Sequence, residues 1–374
     1  NAITRGRPVM YPIPMLYSTP ANAVAEVRYL RARGYPVAYV EMGEEADGQY
    51  VNPEDYAALY VQFARALHAF DPTLKLGGPV FEGVNIDVAA WADASGDTSF
   101  LHRFLRYLKR HGALGELAFM SFEHYPFKGC DRGALLHEDL LREPAMIRDI
   151  AHIWRADGLP VNVPMFVTEG HFAADGTSVP LRLEGALWMA DYFGSAFSSG
   201  VTRIQHYQYE AEPIGRSSEC GISTSYGMFI TDAKYRIVAK AGSFYGAQML
   251  AKEWLVPGDA PHDIYPVTNS LGTYEPAVTG YAAHRPDGTW SMLLVNKDRV
   301  ARRVRITLGA GTLRGPVTIV SFGSAQYHWN DRHGAIPPSW STGPVRRVVQ
   351  ADAAGIYTIP AESVTVVRGA ASGG

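Results

Sequence analysis

The chain has 374 residues, of which 47% are hydrophobic and 19% charged, with a formal net charge of −3. This composition is typical of globular proteins and excludes a disordered or collagen-like chain, and the balanced charge leaves no basic surplus for a nucleic-acid partner. No apolar stretch approaches the ~20 residues that cross a bilayer, so we expect no membrane span.

Short apolar runs alternate with longer amphipathic segments up to about residue 256. This alternation predicts parallel strands with helices packed outside the sheet. Helices are predicted at 21–33 and 53–70, the second with Asn52 as its N-cap and Pro53 in the first turn. Six strands are predicted, at residues 8–17, 37–45, 75–82, 117–126, 164–172 and 203–210.

The pattern changes after a predicted helix near residues 243–254. Pro286-Asp287-Gly288 separates two apolar segments and predicts a β-hairpin. We therefore expect two domains, an α/β domain over 1–256 and an antiparallel β-sandwich over 257–374.

Several common catalytic motifs are absent from the sequence. It has no dinucleotide or P-loop glycine fingerprint, no H-E-x-x-H, no G-x-S-x-G and no EF-hand loop. The 12 histidines show no i, i+4 ligand spacing with a carboxylate partner, so we expect no metal and no other cofactor. Cys130 and Cys220 could pair or stay free, because sequence separation does not tell whether their Cα atoms approach within ~7 Å.

Glutamates follow two of the predicted strands. Glu41, Glu44 and Glu45 end the second strand, and Glu169 ends the fifth. The C-terminal ends of parallel strands carry the active site in (β/α) barrels. Retaining glycoside hydrolysis needs one carboxyl group that protonates the leaving oxygen and another, ~5 to 5.5 Å away, that attacks the anomeric carbon. Either motif alone is better explained by salt bridges, but the two in this order favour that chemistry.

On these residues the sequence resembles the clan A retaining glycoside hydrolases. Residues 18–45 are similar to the families that hold α-L-arabinofuranosidases and β-xylosidases, which typically read W-E-x-G-N-E where this chain reads Val-Glu-Met-Gly-Glu-Glu. The resemblance implies a (β/α)8 TIM barrel with a C-terminal β-sandwich. It also implies that Glu45 is the acid/base, Glu169 the nucleophile and Glu41 a buried carboxylate.

The resemblance suggests further site residues. His124-Tyr125 resembles a pair whose tyrosine hydrogen-bonds the nucleophile. Glu44 replaces an asparagine that contacts the sugar 2-hydroxyl, and a carboxylate there is expected to raise the pKa of the acid/base. His124, His171, His206 and Glu210 are predicted either to hydrogen-bond sugar or to be satisfied rim residues. Tyr207, Tyr209 and Trp329 are predicted either to stack on sugar or to pack in the core.

A closed barrel of this type needs eight strands, and the sequence shows six. With its start at Asn1, and neither an initiator Met nor a signal sequence, the chain looks processed or truncated. We expect a separate N-terminal chain to supply strands one and two. The alternative is an open six-stranded barrel that stands alone.

The sequence thus predicts a retaining glycosidase that cleaves an oligosaccharide or glycoside by double displacement. Two alternatives stay open: a transglycosylase or phosphorolytic relative that uses the same carboxylates, and a non-catalytic glycan-binding protein. We expect a secreted or periplasmic location rather than a cytoplasmic one.

Overall fold

The computed structural model describes residues 6–82, 86–270, 276–330 and 340–371. The chain forms two compact units, each built from separate segments. The first unit comprises Asn1–Tyr125, Asp149–Gly170 and Gly200–Gln205. The second comprises Pro126–Arg148, His171–Ser199 and His206–Gly374. In the described ranges, no helix has the length and apolar character needed to cross a membrane.

The first unit contains a parallel sheet of six strands whose order in the sheet is their order in the chain. Each strand pairs in parallel with the next. The predicted fold class is therefore confirmed, with six strands of the TIM-barrel type followed by antiparallel sheets. The strands are β1 (Val9–Ile13), β2 (Val37–Met42), β3 (Lys75–Phe81), β4 (Phe119–His124), β5 (Met165–Gly170) and β6 (Val201–Ile204).

The described helices match the predicted alternation. They are α1 (Pro20–Ala32), α2 (Pro53–Phe70), α3 (Phe100–Arg110), α4 (Ala134–Ala156), α5 (Leu183–Ser198) and α6 (Gly242–Gln248), which continues as a π-helix over Met249–Trp254. Short 3₁₀ helices cover Met15–Tyr17, Leu114–Glu116 and Val179–Leu181. Asn52 occupies the N-cap position of α2, but its side chain donates to Asp55 Oδ2 (3.2 Å) and makes no capping hydrogen bond.

Every predicted strand of this sheet is present, but each ends earlier than predicted. In β2, the extended backbone stops because Gly43 has a φ of 106° and Glu45 a φ of 46°, both in the left-handed region. In β6, pairing stops at Ile204, whose partner is Val167. Some of the predicted site residues therefore lie on the loops that follow, as Glu44, Glu45 and Tyr125 do, whereas Glu41, His124 and Glu169 lie within the strands.

Close packing fixes the C-terminal end of β2. Tyr56 of α2 is fully buried, and its hydroxyl group donates to the carbonyl oxygen of Met42 at 2.5 Å. A Cβ atom on Gly78 of β3 would lie 2.4 Å from the same hydroxyl oxygen. Only glycine fits there. Because Gly78 has no side chain, α2, β2 and β3 can pack together beneath the loop that carries Glu45.

The second unit is dominated by antiparallel pairing. Its strands are β7 (Ala211–Pro213), β8 (Gly215–Arg216), β9 (Ser223–Thr224), β10 (Phe229–Thr231), β11 (Ile237–Lys240), β12 (Asp263–Tyr265), β13 (Val278–His284), β14 (Trp290–Asn296), β15 (Arg302–Arg305), β16 (Leu313–Gly323), β17 (Tyr327–His328), β18 (Trp340–Ser341), β19 (Val345–Gln350), β20 (Ile356–Ile359) and β21 (Ser363–Ala371). The largest sheet has the order β12-β13-β14-β21-β16-β19. Smaller sheets pair β11-β10-β7, β15-β20, β17-β18 and β8-β9.

The predicted antiparallel C-terminal region is confirmed from β12 onward. The hairpin predicted at Pro286-Asp287-Gly288 joins β13 to β14, and the Arg285 N–H closes it by donating to the Thr289 carbonyl at 2.9 Å. Strands β7 to β11 were not predicted, because two to four residues are too short to show a period. The domain boundary at residue 256 stays a prediction.

A buried ion pair joins α5 to the large antiparallel sheet. Lys297 Nζ lies 2.5 Å from Asp191 Oδ2, and both side chains are 1% exposed. The Tyr281 hydroxyl donates to Asp191 Oδ1 at 2.9 Å, and the Thr279 hydroxyl donates to the same oxygen. Asp191 thus has a cation and two neutral donors around its carboxylate.

Cys130 and Cys220 form a disulfide bond within the second unit, with a Cα–Cα distance of 5.3 Å. Their pairing, left open by the sequence, is settled by this geometry. The bond links the segment before α4 to the loop between β8 and β9.

Candidate active site

The loop after β2 carries Glu44 and Glu45 at the C-terminal edge of the parallel sheet. Glu44 is exposed and Glu45 is half-buried. The Glu45 carbonyl accepts hydrogen bonds from the N–H groups of Gly48 (2.9 Å) and Gln49 (3.1 Å), which turn the loop back on itself. Asp47 Oδ1 then accepts from the N–H of Glu82 at 3.0 Å, tying the loop to the end of β3.

A second pair of glutamates ends β4 and β5. Glu123 and Glu169 are direct partners in the parallel register of these strands. Glu123 is only 3% exposed, whereas Glu169 is half-buried. The Tyr125 hydroxyl donates a hydrogen bond to Glu169 Oε1. This phenol donor fixes the orientation of the Glu169 carboxyl group.

Glu41 lies deeper, inside β2 and 7% exposed. Burial raises the pKa of Glu41 to about 7, with smaller contributions from the charges of Glu44 and Glu169. The hydroxyl groups of Thr168 and Ser121 act in the opposite direction. Its Oε1 atom has no hydrogen-bond partner among the residues that the structure describes.

Like charges surround the other acids of this edge. Burial, followed by the charges of Glu169, Glu45 and Glu44, raises the pKa of Glu123 to about 9. Burial also raises the pKa of Glu45, and Glu82 contributes more to this shift than Glu44 does. At neutral pH, Glu123 therefore carries a proton and can act as a proton donor at this edge.

The structure thus brings together the predicted Glu41, Glu44, Glu45 and Glu169 in one group of carboxyl groups. We call it the carboxylate cluster and define it as Glu41, Glu44, Glu45, Asp47, Glu82, Glu123 and Glu169. Asp47, Glu82 and Glu123 were not predicted as site residues. In the sequence, each of these three residues is only a single acidic residue next to an apolar run. Many ordinary surface acids occur in the same context, so the pattern does not identify a site.

His124 ends β4 and is fully buried. Its predicted contact with sugar stays a prediction, as do the roles assigned to the other site residues. The described part of the chain contains no group of three or more His, Cys, Asp or Glu residues placed to hold a metal ion.

The second unit brings other predicted residues together. The rings of His171 and His206 lie 5.6 Å apart, and Tyr226 packs against both His171 (4.7 Å) and Tyr207 (5.5 Å). Complete burial, and then the neighbouring His206, lower the pKa of His171 well below its usual value. His171 is therefore a neutral imidazole at physiological pH.

Exposure divides the remaining predicted residues of the second unit. Tyr207 is 41% exposed and Tyr209 is 63% exposed, and Glu210 is also exposed. Trp329 is only 9% exposed, so its ring packs in the interior. This burial favours the core-packing alternative for Trp329, because a stacked sugar needs an accessible ring face. Its stacking on sugar stays a prediction.

Comparison with known proteins shows what the fold resembles. No protein-family model matches the chain, and no curated protein matches it. A family 51 arabinofuranosidase from Xanthomonas axonopodis pv. citri matches with a TM-score of 0.64 and 16% identity, over 96% of this chain and 74% of that one.

Two further structures match to a similar extent. A family 44 xyloglucanase from Paenibacillus polymyxa has a TM-score of 0.63 and 11% identity, over 95% of this chain and 70% of that one. A bifunctional glucanase-xylanase from a metagenome library has a TM-score of 0.63 and 14% identity, over 94% of this chain and 68% of that one. Since several families match at such low identity, the predicted closeness to one of them stays a prediction. The chain has the fold of the clan A glycoside hydrolases.

Proposed function

We propose that this chain is a retaining glycoside hydrolase in which Glu169 is the nucleophile and Glu45 the acid/base. The observation that carries the proposal is the contrast between these two carboxyl groups. Glu169 accepts a hydrogen bond from Tyr125, which fixes the orientation of its carboxyl group. Glu45 is surrounded by Glu82, Glu44 and Glu169, whose charges help to keep its proton in place.

The proposed reaction follows from these environments. Glu169 attacks the anomeric carbon as Glu45 passes its proton to the glycosidic oxygen, so the bond to the leaving sugar breaks and a glycosyl ester forms. The ester no longer carries the charge of Glu169. Because that charge is one of those that raise the pKa of Glu45, esterification lowers this pKa and favours Glu45 as a base.

In the second half of the cycle, Glu45 takes a proton from water as the water oxygen attacks the anomeric carbon. The sugar is released with its original configuration, Glu169 is again a carboxylate and Glu45 is again protonated. The proposed substrate is an oligosaccharide or glycoside, and no step requires a cofactor.

Covalent labelling tests the proposal. Wild-type protein is incubated with 2-fluoroglycosyl fluorides of gluco, xylo and arabino configuration, and intact mass and peptide mapping locate the label. We expect one glycosyl adduct on Glu169, none in Glu169→Gln, and a normal adduct in Glu138→Gln, which changes an exposed acid of α4. A protein that binds oligosaccharides but takes no label would instead be a glycan-binding protein.

A further inference from the structure

Two tyrosines next to Glu45 expose most of their side chains. Tyr17 is 78% exposed and Tyr50 is 83% exposed. Tyr50 also has a φ of 56°, a left-handed conformation that is unfavourable for a bulky side chain. Both rings are thus held towards solvent, where they gain nothing from burial in the core.

A hydrogen bond ties Tyr17 to the loop that carries Glu45, and Tyr50 is part of that loop. The N–H of Gly43 donates to the carbonyl of Ile13, the last residue of β1, at 2.9 Å. The N–H of Gln49 donates to the Glu45 carbonyl at 3.1 Å, and the Tyr17 hydroxyl donates to Gln49 Oε1. Tyr17 and Tyr50 therefore flank Gln49, one turn from Glu45.

Strand order shows on which side of β2 the Tyr17 segment lies. Tyr17 follows β1, Glu45 follows β2 and Glu169 ends β5, so in the order of the sheet the Tyr17 segment lies on the side of β2 away from β5. A nucleophile attacks the anomeric carbon from the side opposite the leaving group, and the acid protonates the leaving oxygen. The sugar that departs therefore lies on the Tyr17 side.

We infer that Tyr17 and Tyr50 form a stacking platform for the sugar on the leaving-group side of the cleaved bond. The inference rests on the proposed roles of Glu45 and Glu169. A sugar ring has an apolar C–H face, which packs on an aromatic ring much as apolar side chains do. The substrate class is then an oligosaccharide with a sugar on each side of the cleaved bond, and not a glycoside with a small leaving group.

Two kinds of substrate distinguish stacking of the leaving sugar on the platform from the catalytic steps. We compare hydrolysis of cellohexaose, xylohexaose and arabinohexaose with hydrolysis of the corresponding glycosyl fluorides, whose leaving group is not a sugar. Tyr17→Ala and Tyr50→Ala should each lower kcat/KM for the hexasaccharide by about tenfold and leave fluoride hydrolysis unchanged. Tyr35→Ala is the matched control, because Tyr35 is 47% exposed but precedes β2, at the opposite edge of the sheet.

Tyr17→Phe distinguishes stacking from positioning of the loop, since it keeps the ring and removes the hydrogen bond to Gln49. We expect this variant to retain most of the wild-type hexasaccharide activity. A Tyr17→Phe variant as impaired as Tyr17→Ala would overturn the platform. So would Ala variants that lose equal activity on hexasaccharides and on fluorides. Wild-type protein that hydrolyses fluorides but cleaves no hexasaccharide would overturn it as well.

Failure of the proposed function gives a different result. Wild-type protein would then neither hydrolyse fluorides nor take the covalent label, and the platform is tested by calorimetric titration with the same hexasaccharides. Affinity about tenfold weaker in the Ala variants than in Tyr35→Ala would support the platform, and equal affinity would overturn it.

Discussion

Both units of this chain bury carboxyl groups, and they do so in opposite ways. In the second unit, Asp191 faces Lys297 Nζ at 2.5 Å together with two hydroxyl donors. In the first unit, Glu123 is also buried, at 3% exposure, but faces the charges of Glu169, Glu45 and Glu44. The first arrangement satisfies the buried charge, and the second leaves like charges to repel each other.

This contrast distinguishes an acidic residue that stabilises the fold from one that is suited to proton transfer. Burial raises the pKa of Asp191, but Lys297 and the two hydroxyl donors act in the opposite direction. Removing one partner of such a buried pair is costly because one charge is then left alone. A buried carboxyl group among other carboxylates instead keeps its proton, at some cost in folding stability. Natural proteins tolerate that cost mainly where proton transfer is useful.

The largest effect is expected for the proposed chemistry of the carboxylate cluster. Glu169→Gln should lower the turnover of a glycoside by at least about a thousandfold, because an amide cannot form the covalent intermediate. It should not lower the free energy of unfolding, since it removes one of the mutually repelling charges. Tyr125→Phe removes only the hydrogen bond and should lose about tenfold. A folded Gln variant with near-normal turnover would contradict the assignment.

The next largest effect is expected for Asp191, the buried acid that is paired with Lys297. Lys297→Met leaves Asp191 buried without its cation and should lower the free energy of unfolding by about 3 to 5 kcal/mol, measured by urea denaturation. Adding Asp191→Asn should recover most of the loss, because the amide still accepts from Thr279 and Tyr281. Lys234→Met, at an exposed position, serves as the control. Equal stability of Lys297→Met and this control would show that the pair is dispensable.

A smaller effect is expected for the pH dependence of stability. The pKa of Glu123 is about 9 in the folded chain, compared with 4.5 for a free glutamate. Below the pKa of the unfolded state, Glu123 makes its full contribution to the free energy of unfolding. This contribution is lost as pH rises towards the pKa of the folded state, by at most about 1.4 kcal/mol per pH unit. Glu123→Gln does not titrate and should flatten this part of the curve.

Urea denaturation from about pH 5 to about pH 9 measures the change. Glu138→Gln, at an exposed position of α4, should keep the wild-type slope. An unchanged slope in Glu123→Gln would mean that Glu123 is ionised at neutral pH, which would remove the contrast with Asp191.

The smallest effect is a shift in the pH-rate profile. Glu45 must be protonated to act as an acid, and the charges of Glu82 and Glu44 help to raise its pKa. Glu44→Gln should therefore move the basic limb to lower pH, and Glu82→Gln should move it further. If Glu44→Gln changes neither the profile nor the affinity for substrate, Glu44 serves structure alone.

The sequence could predict the parts of the site that lie on strongly patterned strands. Glu45, Glu169 and Tyr125 follow apolar runs whose period identifies parallel strands, so their placement at one edge was predictable. Glu123 was missed because its pKa depends on register with Glu169 and on burial, neither of which is written in the local sequence. Trp329 was left open for the same reason, because burial depends on tertiary packing.

The disulfide bond has a consequence for the connectivity of the chain. Cys130 and Cys220, which are 90 positions apart in the sequence, close a covalent ring, and β5 and β6 lie inside it. One backbone cut within this ring opens it to a linear molecule without releasing a fragment. The strand that bears Glu169 therefore stays attached after a single proteolytic nick, and a nicked sample should migrate as one band until a reductant separates the two pieces.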